Sequence, residues 1–287
     1  MRKLMSIAIV ASACVGVSAQ EPALPDVLTR AGDYVAQYRG KVSGVSLEEQ
    51  LLLTQMNINQ SVPRRLASDL VLINISERLM GIRDPFAIDT KALREKQVRI
   101  IRALGEPTLA AWQRVQEYAR ENAFLMMSNV AVWYSDPMLA LQFIETARQG
   151  TITYKLEGRK KINNVQVVGV GFKEKQADGK KYILGTPSNP SASGRIWVDP
   201  ATGAIHQTEL WIQSDTDVAR ISVVYTQDAK LNLLVPKDAQ HTFEEYERGT
   251  GLANMGSGTP GRRASFESTA KYSNAAYTAI DLTKISR

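Results

Sequence analysis

Residues 151–235 form one long run of strand-like patterning. Ile152, Tyr154 and Leu156 alternate with Thr151, Thr153 and Lys155, the period of two expected of a half-buried strand. Residues 165–172 are a β-branched run, and Asp178-Gly179 separates it from Tyr182-Ile183-Leu184. Asp-Gly between two such runs predicts a tight hairpin, because both central positions need a positive φ. Residues 195–198 predict the next strand, closed by Asp199-Pro200-Ala201-Thr202-Gly203, where Pro presets φ and Gly accepts a left-handed exit. Residues 205–212 run back, and Ile221, Val223 and Tyr225 alternate along another strand. A polar turn at 227–230 leads into 231–235, which Pro236 is expected to end, since Pro cannot donate to a ladder.

Before this meander the pattern is mixed. Val27, Ala31, Tyr34, Val35 and Tyr38 make one apolar stripe of a helix over 25–40, with Pro25 near its start and Gly40 at its exit. Residues 42–56 predict a strand, although Leu51-Leu52-Leu53 fits helix as well. A polar turn over 57–63 follows, then a strand over 65–75 apolar on both faces, and a short strand over 83–88 that Pro85 places at an edge. Asp89 and Thr90 are suited to cap a helix through 104, and Gly105-Glu106-Pro107 breaks it. A second helix is expected over 108–126, carrying Leu109, Trp112, Val115 and Ala119. A third opens at Asp136-Pro137 with Leu139, Leu141, Phe143 and Ile144. After the meander, 249–261 is rich in Gly, Ser and Asn and reads as a flexible loop. Residues 266–280 predict a last strand or two. No internal repeat is present. Helices segregated from an antiparallel sheet make the fold class α+β.

The N-terminus changes the compartment. Arg2 and Lys3 precede an apolar stretch over 4–17, and Val17-Ser18-Ala19 fits the small-x-small rule for signal-peptide cleavage. The apolar run is too short to span a bilayer. Residues 1–19 are thus expected to be a signal peptide cleaved after Ala19, leaving 20–287 as a single exported domain in the periplasm or outside the cell. Cys14, the one cysteine, gives an alternative. Ala11-Ser12-Ala13-Cys14 is similar to a lipobox, although a large aliphatic residue is missing three places before the cysteine. Lipidation at Cys14 would anchor the protein to a membrane. Cleavage after Ala19 is the reading favoured here, and it leaves no cysteine for a disulfide.

Charge excludes more than it selects. The formal charge is +6, with Arg2 and Lys3 supplying two. The clusters 159–161 and 180–181 read as solvated hairpin turns, not as the one-sided basic face of a nucleic-acid protein. Weak peripheral attraction to an anionic membrane surface stays open. His206 and His241 lack cysteines or an HExxH pattern that would make a zinc site. There is no Gly-x-Ser-x-Gly elbow, no phosphate-binding loop, and no dinucleotide fingerprint after Gly169-Val170-Gly171. Glu48-Glu49 and Glu244-Glu245 read as solvated carboxylates, because a glycosidase-type pair must converge in a cleft. No catalytic residue, cofactor or metal is expected, and the chain reads as non-enzymatic. Trp197 and Trp211 flank the 199–203 turn. Counted from Ala201, Trp197 opposes Ile205 and Trp211 opposes Ser191. Core packing under helices suits them, and lining a cavity is the alternative.

This organisation resembles the Lol-type periplasmic lipoprotein carriers and the related sigma-factor regulator RseB. The residues that carry the resemblance are Gly194-Arg195-Ile196-Trp197-Val198-Asp199-Pro200, the Thr202-Gly203 turn, the strand over 221–225 and the run 231–236. The chain also resembles exported proteins of environmental bacteria with a hairpin of the Ser-Gly-Arg-Ile-Trp-Val-Asp-Pro style. The likeness implies a curved, incomplete antiparallel barrel with the N-terminal helix and inserted helices in its concave face. It also implies an apolar cavity for acyl chains or a lipidated partner, for which Ile196, Trp197, Val198, Trp211 and Tyr225 are the candidate lining residues. An envelope interaction module and a hydrolase with a non-local site are the rival readings. Oligomeric state is not legible.

Overall fold

The computed structural model describes residues 22–57, 60–75, 78–95, 99–100, 103, 113–115, 117–118, 121, 136–175, 190–214, 217–246 and 262–278. The expected signal peptide with Cys14 and Ala19, the Asp178-Gly179 turn and the 249–261 loop lie outside these residues.

Among the described residues eleven strands form one antiparallel sheet. They are β1 (Val45–Asn57), β2 (Gln60–Ile75), β3 (Arg78–Ile88), β4 (Lys91–Ala92), β5 (Ile152–Ile162), β6 (Val165–Glu174), β7 (Ser191–Val198), β8 (Ile205–Gln213), β9 (Asp217–Asp228), β10 (Leu233–Tyr246) and β11 (Arg262–Tyr277). Their order is β4-β3-β2-β1-β11-β10-β9-β8-β7-β6-β5. Each strand pairs with a chain neighbour, and β11, beside β10, also returns to pair with β1. The sheet stays open, so the expected incomplete half-barrel of an α+β protein is what forms.

The helix α1 (Leu24–Val42) runs slightly beyond its expected bounds and buries Val27, Ala31, Val35, Tyr38 and Val42 on one stripe. It crosses one end of the inner face of the sheet. Tyr38 Oη donates to the Leu234 carbonyl on β10 at 2.7 Å, and Arg30 Nη1 donates to the Pro200 carbonyl at the β7–β8 turn at 2.6 Å. Gly203 takes φ +77° in that turn, and a Cβ there would overlap the Arg30 carbonyl. Glycine lets turn and helix touch.

The third expected helix forms as two 3-10 turns, Leu139–Phe143 and Thr146–Thr151, laid on the same face. Phe143 stacks on Phe172 of β6 with ring centroids 5.1 Å apart. The expected helix over 89–104 does not begin at Thr90. Asp89 is a turn residue at φ 54°, its carboxylate accepts the Arg65 N–H at 3.0 Å, and the chain enters β4. Helical residues Ile100, Ala103 and Val115 pack with Val71, Ile73 and Ile82 on the outer face of β2 and β3. That explains why 65–75 is apolar on both faces: Leu70 and Leu72 belong to the inner core, and Val71 and Ile73 to this second cluster.

The prolines correct two boundaries. Pro236 does not end a strand. It lies inside β10 opposite Tyr225, beside a bulge before Asp238, where a missing donor is tolerated. Pro63 lies within β2 opposite Thr54, beyond the last pairing of β2 with β3 at Leu66, so its missing N–H falls on an unpaired flank. Residues 60–63 are therefore strand and not turn.

Candidate binding face

Alternation along each strand lines the inner face with apolar side chains. Leu51 and Leu53 of β1, Leu66 of β2, Ile221 of β9, Phe243 of β10 and Phe266 of β11 are all buried in one cluster. Phe243 and Phe266 stack with centroids 5.2 Å apart. Adjacent strands carry these residues, so the wall is continuous.

Of the five lining residues expected from sequence, Ile196, Val198 and Tyr225 belong to this inner core. Trp197 and Trp211 do not, because they occupy the opposite strand phase. A bulge between Trp197 and Val198 sets the register, so Trp197 opposes Gln207 and Trp211 opposes Ser193, not Ile205 and Ser191. Arg195 and Glu209 pair between the two tryptophans. On that outer face Trp197 Nε1 donates to Glu209 Oε1 at 2.9 Å, and Lys160 Nζ lies 3.8 Å from its ring centroid. Both contacts suit an indole with one polar edge and a negative face. Trp211 keeps 38% of its surface exposed. Tyr225 is an anchor: its hydroxyl donates to the Pro137 carbonyl at 2.7 Å, holding the 136–151 segment on the sheet.

The inner face also carries a polar cluster that the sequence reading missed. Glu49 and Glu48 were read as solvated, but Glu49 is fully buried. Arg83 grips it with two donors, Nη2 to Oε1 at 2.6 Å and Nε to Oε2. The signal lay in the period of β1: Leu47, Glu49, Leu51 and Leu53 share one phase, so the carboxylate must point where the leucines point. Glu48 takes the other phase and meets Asn274 at 3.2 Å. Glu49 lies opposite Ser68 on β2 and opposite Tyr272 on β11. Burial, with the Glu49 charge adding, raises the Tyr272 phenol well above its ordinary range.

Two further titratable groups border the cluster. Asp136 Oδ1 accepts the N–H groups of Gly81 at 3.2 Å and Met138 at 2.9 Å, tying the 136–151 segment to β3. Burial raises its pKa to about 6, against the opposing pull of those N–H groups and Arg83. His241 Nδ1 lies 2.9 Å from Ser268 Oγ on the neighbouring strand. Burial, with the Arg83 charge adding, lowers its pKa to about 3. His206 lies two strands away on β8. Among the described residues no group of three or more His, Cys, Asp or Glu could hold a metal. Nor is any described helix long and apolar enough to cross a membrane.

No family model and no curated protein matches the chain. It is similar to the solved structure of a DUF1329 family protein from Desulfovibrio piger, with 9% identity, 91% of this chain and 98% of that chain covered, and a TM-score of 0.38. It is also similar to a LolA superfamily protein from Nitrosomonas europaea, with 10% identity, 89% and 97% covered, and a TM-score of 0.30. For the Mycobacterium tuberculosis lipoprotein LppX the figures are 11%, 91% and 100%, and 0.25. At these identities and TM-scores the likeness assigns the chain no role.

Proposed function

We propose that this is an exported cell-envelope binding protein that shelters an acyl chain or a lipidated partner against the inner face of its half-barrel. The observation that carries the reading is the continuous apolar wall from Leu66 on β2 to Ile221 on β9. Such a wall excludes water from an acyl chain, and each buried methylene contributes about 0.8 kcal/mol. The role is non-enzymatic. Ile196 and Val198 belong to the floor, and Tyr225 holds the segment laid over it. Export follows cleavage after Ala19, and the protein works in the periplasm or beyond it.

Native mass spectrometry of the chain exported with its own leader tests this reading. An added mass that is lost on denaturation and matches a lipid supports it. A bare chain, still bare after incubation with lipids, overturns it in favour of an interaction module. The denatured mass separates a chain beginning at Gln20 from one lipidated at Cys14.

A further inference from the structure

The outer face of the sheet, turned away from the apolar wall, carries a constellation of its own. Strand register sets Thr153, Lys173, Ser193, Trp211 and Arg220 in one row across β5 to β9. The next row on the same face is Lys155, Gly171, Arg195, Glu209 and Ser222, because residues two apart in a strand point the same way. Charge in the two rows is unbalanced. Glu157 accepts from Arg195 Nε at 2.6 Å and pairs with Lys155 Nζ at 2.6 Å, and Arg195 Nη1 lies 3.5 Å from Glu209. Those contacts neutralise both carboxylates. Lys173 and Arg220 are exposed and, among the described residues, meet no carboxylate. Trp211, 38% exposed, stands between them, one strand from Arg220 and two from Lys173. Beside it runs a groove of about 640 Å³ that Thr153, Lys155, Lys173, Ser193 and Trp211 help to line.

A single exposed apolar residue needs no explanation. An exposed indole with an uncompensated cation on either side does, since the row places apolar surface and positive charge together. Lys173 and Arg220 lie three strand spacings apart, about 14 Å, so the row is broad and follows the sheet surface. An anionic bilayer matches it on both counts. Tryptophan settles at head-group depth, where one end of the ring is apolar and the other wet. Lysine and arginine beside it meet the negative surface potential of the lipid phosphates. An acidic peptide would supply the charge without the apolar layer. The groove between Trp211 and the two lysines is of the size that holds a small polar group.

We propose that the outer face of β5 to β9 docks the protein on an anionic phospholipid bilayer, with Trp211 entering the head-group layer and Lys173 and Arg220 on its phosphates. This surface lies opposite the wall assigned above to the acyl cargo and does not depend on it. The test is flotation of the mature chain, residues 20–287, with phosphatidylglycerol vesicles and with phosphatidylcholine vesicles. Binding to phosphatidylglycerol should be at least tenfold tighter and should fall as salt is raised. Lys173→Gln with Arg220→Gln should weaken it about thirtyfold. Trp211→Ala should weaken it several-fold. Lys41→Gln with Lys230→Gln removes the same charge from exposed positions off the two rows and should bind like the parent. All of these positions are exposed, so the variants should fold, and circular dichroism checks it. Equal binding to both vesicles, row variants that bind like the parent, or an equal loss in the Lys41, Lys230 control would overturn the docking surface. Release by inorganic phosphate but not by chloride of the same ionic strength would overturn it in favour of a site for the free ion. Polyglutamate that competes as well as the vesicles would overturn it in favour of an acidic partner. Retention of an acyl cargo by the row variants, read by native mass spectrometry, separates any of these failures from failure of the binding function.

Discussion

Arg83→Met would leave the Glu49 carboxylate buried among leucines with no counter-charge. Breaking a buried pair from one side costs about 3–5 kcal/mol, whereas replacing both partners by apolar residues is often neutral. Urea unfolding should therefore show Arg83→Met strongly destabilised and the double variant Glu49→Leu, Arg83→Met largely restored. An additive double variant would show that the pair is not coupled. Two other buried groups set opposing pH dependences. His241 titrates near pH 3 when folded, against 6.5 as the ordinary value, so the unfolded chain takes up its proton first. Stability is lost as pH falls from 6.5 towards 3, by roughly 5 kcal/mol at the limit. Asp136 works the other way. Its folded pKa of about 6 lies above 3.8, so the folded state takes the proton first, and acidification from 6 to 3.8 relieves a burial cost of at most about 3 kcal/mol. His241→Gln should flatten the acid limb of a stability–pH profile. Asp136→Asn, whose amide oxygen still accepts the Gly81 and Met138 N–H groups, should be as stable as the parent or more so at pH 7. A parent-like acid limb in His241→Gln would contradict the first assignment.

At the scale of elements, turn chemistry was the most legible part of the chain. Asp199-Pro200-Ala201-Thr202-Gly203 predicts its own turn, and Asp199 accepts the Ala201 N–H at 2.9 Å and the Thr202 hydroxyl at 2.7 Å. The sequence does not announce that this turn also seats α1. Gly203→Ala should lose roughly 1–3 kcal/mol through strain at positive φ, and more through the clash with Arg30. Faster hydrogen exchange along 27–35 would accompany the loss, and unchanged exchange there would mean the helix seats elsewhere. Pro63 and Pro236 were misread because a proline marks a missing donor without saying whether that donor would have had a partner. Both lie in strands, at an unpaired flank and beside a bulge. Asp89 was misread for a similar reason. Its side chain can cap a helix or hold a turn, and the neighbouring Arg65 N–H decides between them.

For the whole molecule, the joint at β11 matters most. It pairs with β1 on one side and β10 on the other, so it fuses the first three long strands to the meander. A chain ending at Tyr246 would leave two long edges bare. Light scattering should find it associated or aggregated, and a well-behaved monomer would show that the halves are independent. The sequence by itself determined the strands, the amphipathic helix, the tight turns and the α+β class. Periods of two and of 3.6 are properties of neighbouring residues, and so is the φ that Gly or Pro allows. Tertiary structure alone decided that the last strand closes on the first, that the tryptophans face outward and that Glu49 meets Arg83. Hydrogen-bonded partners, bulge positions and counter-charges come from segments distant in the chain, and a local pattern carries no record of them.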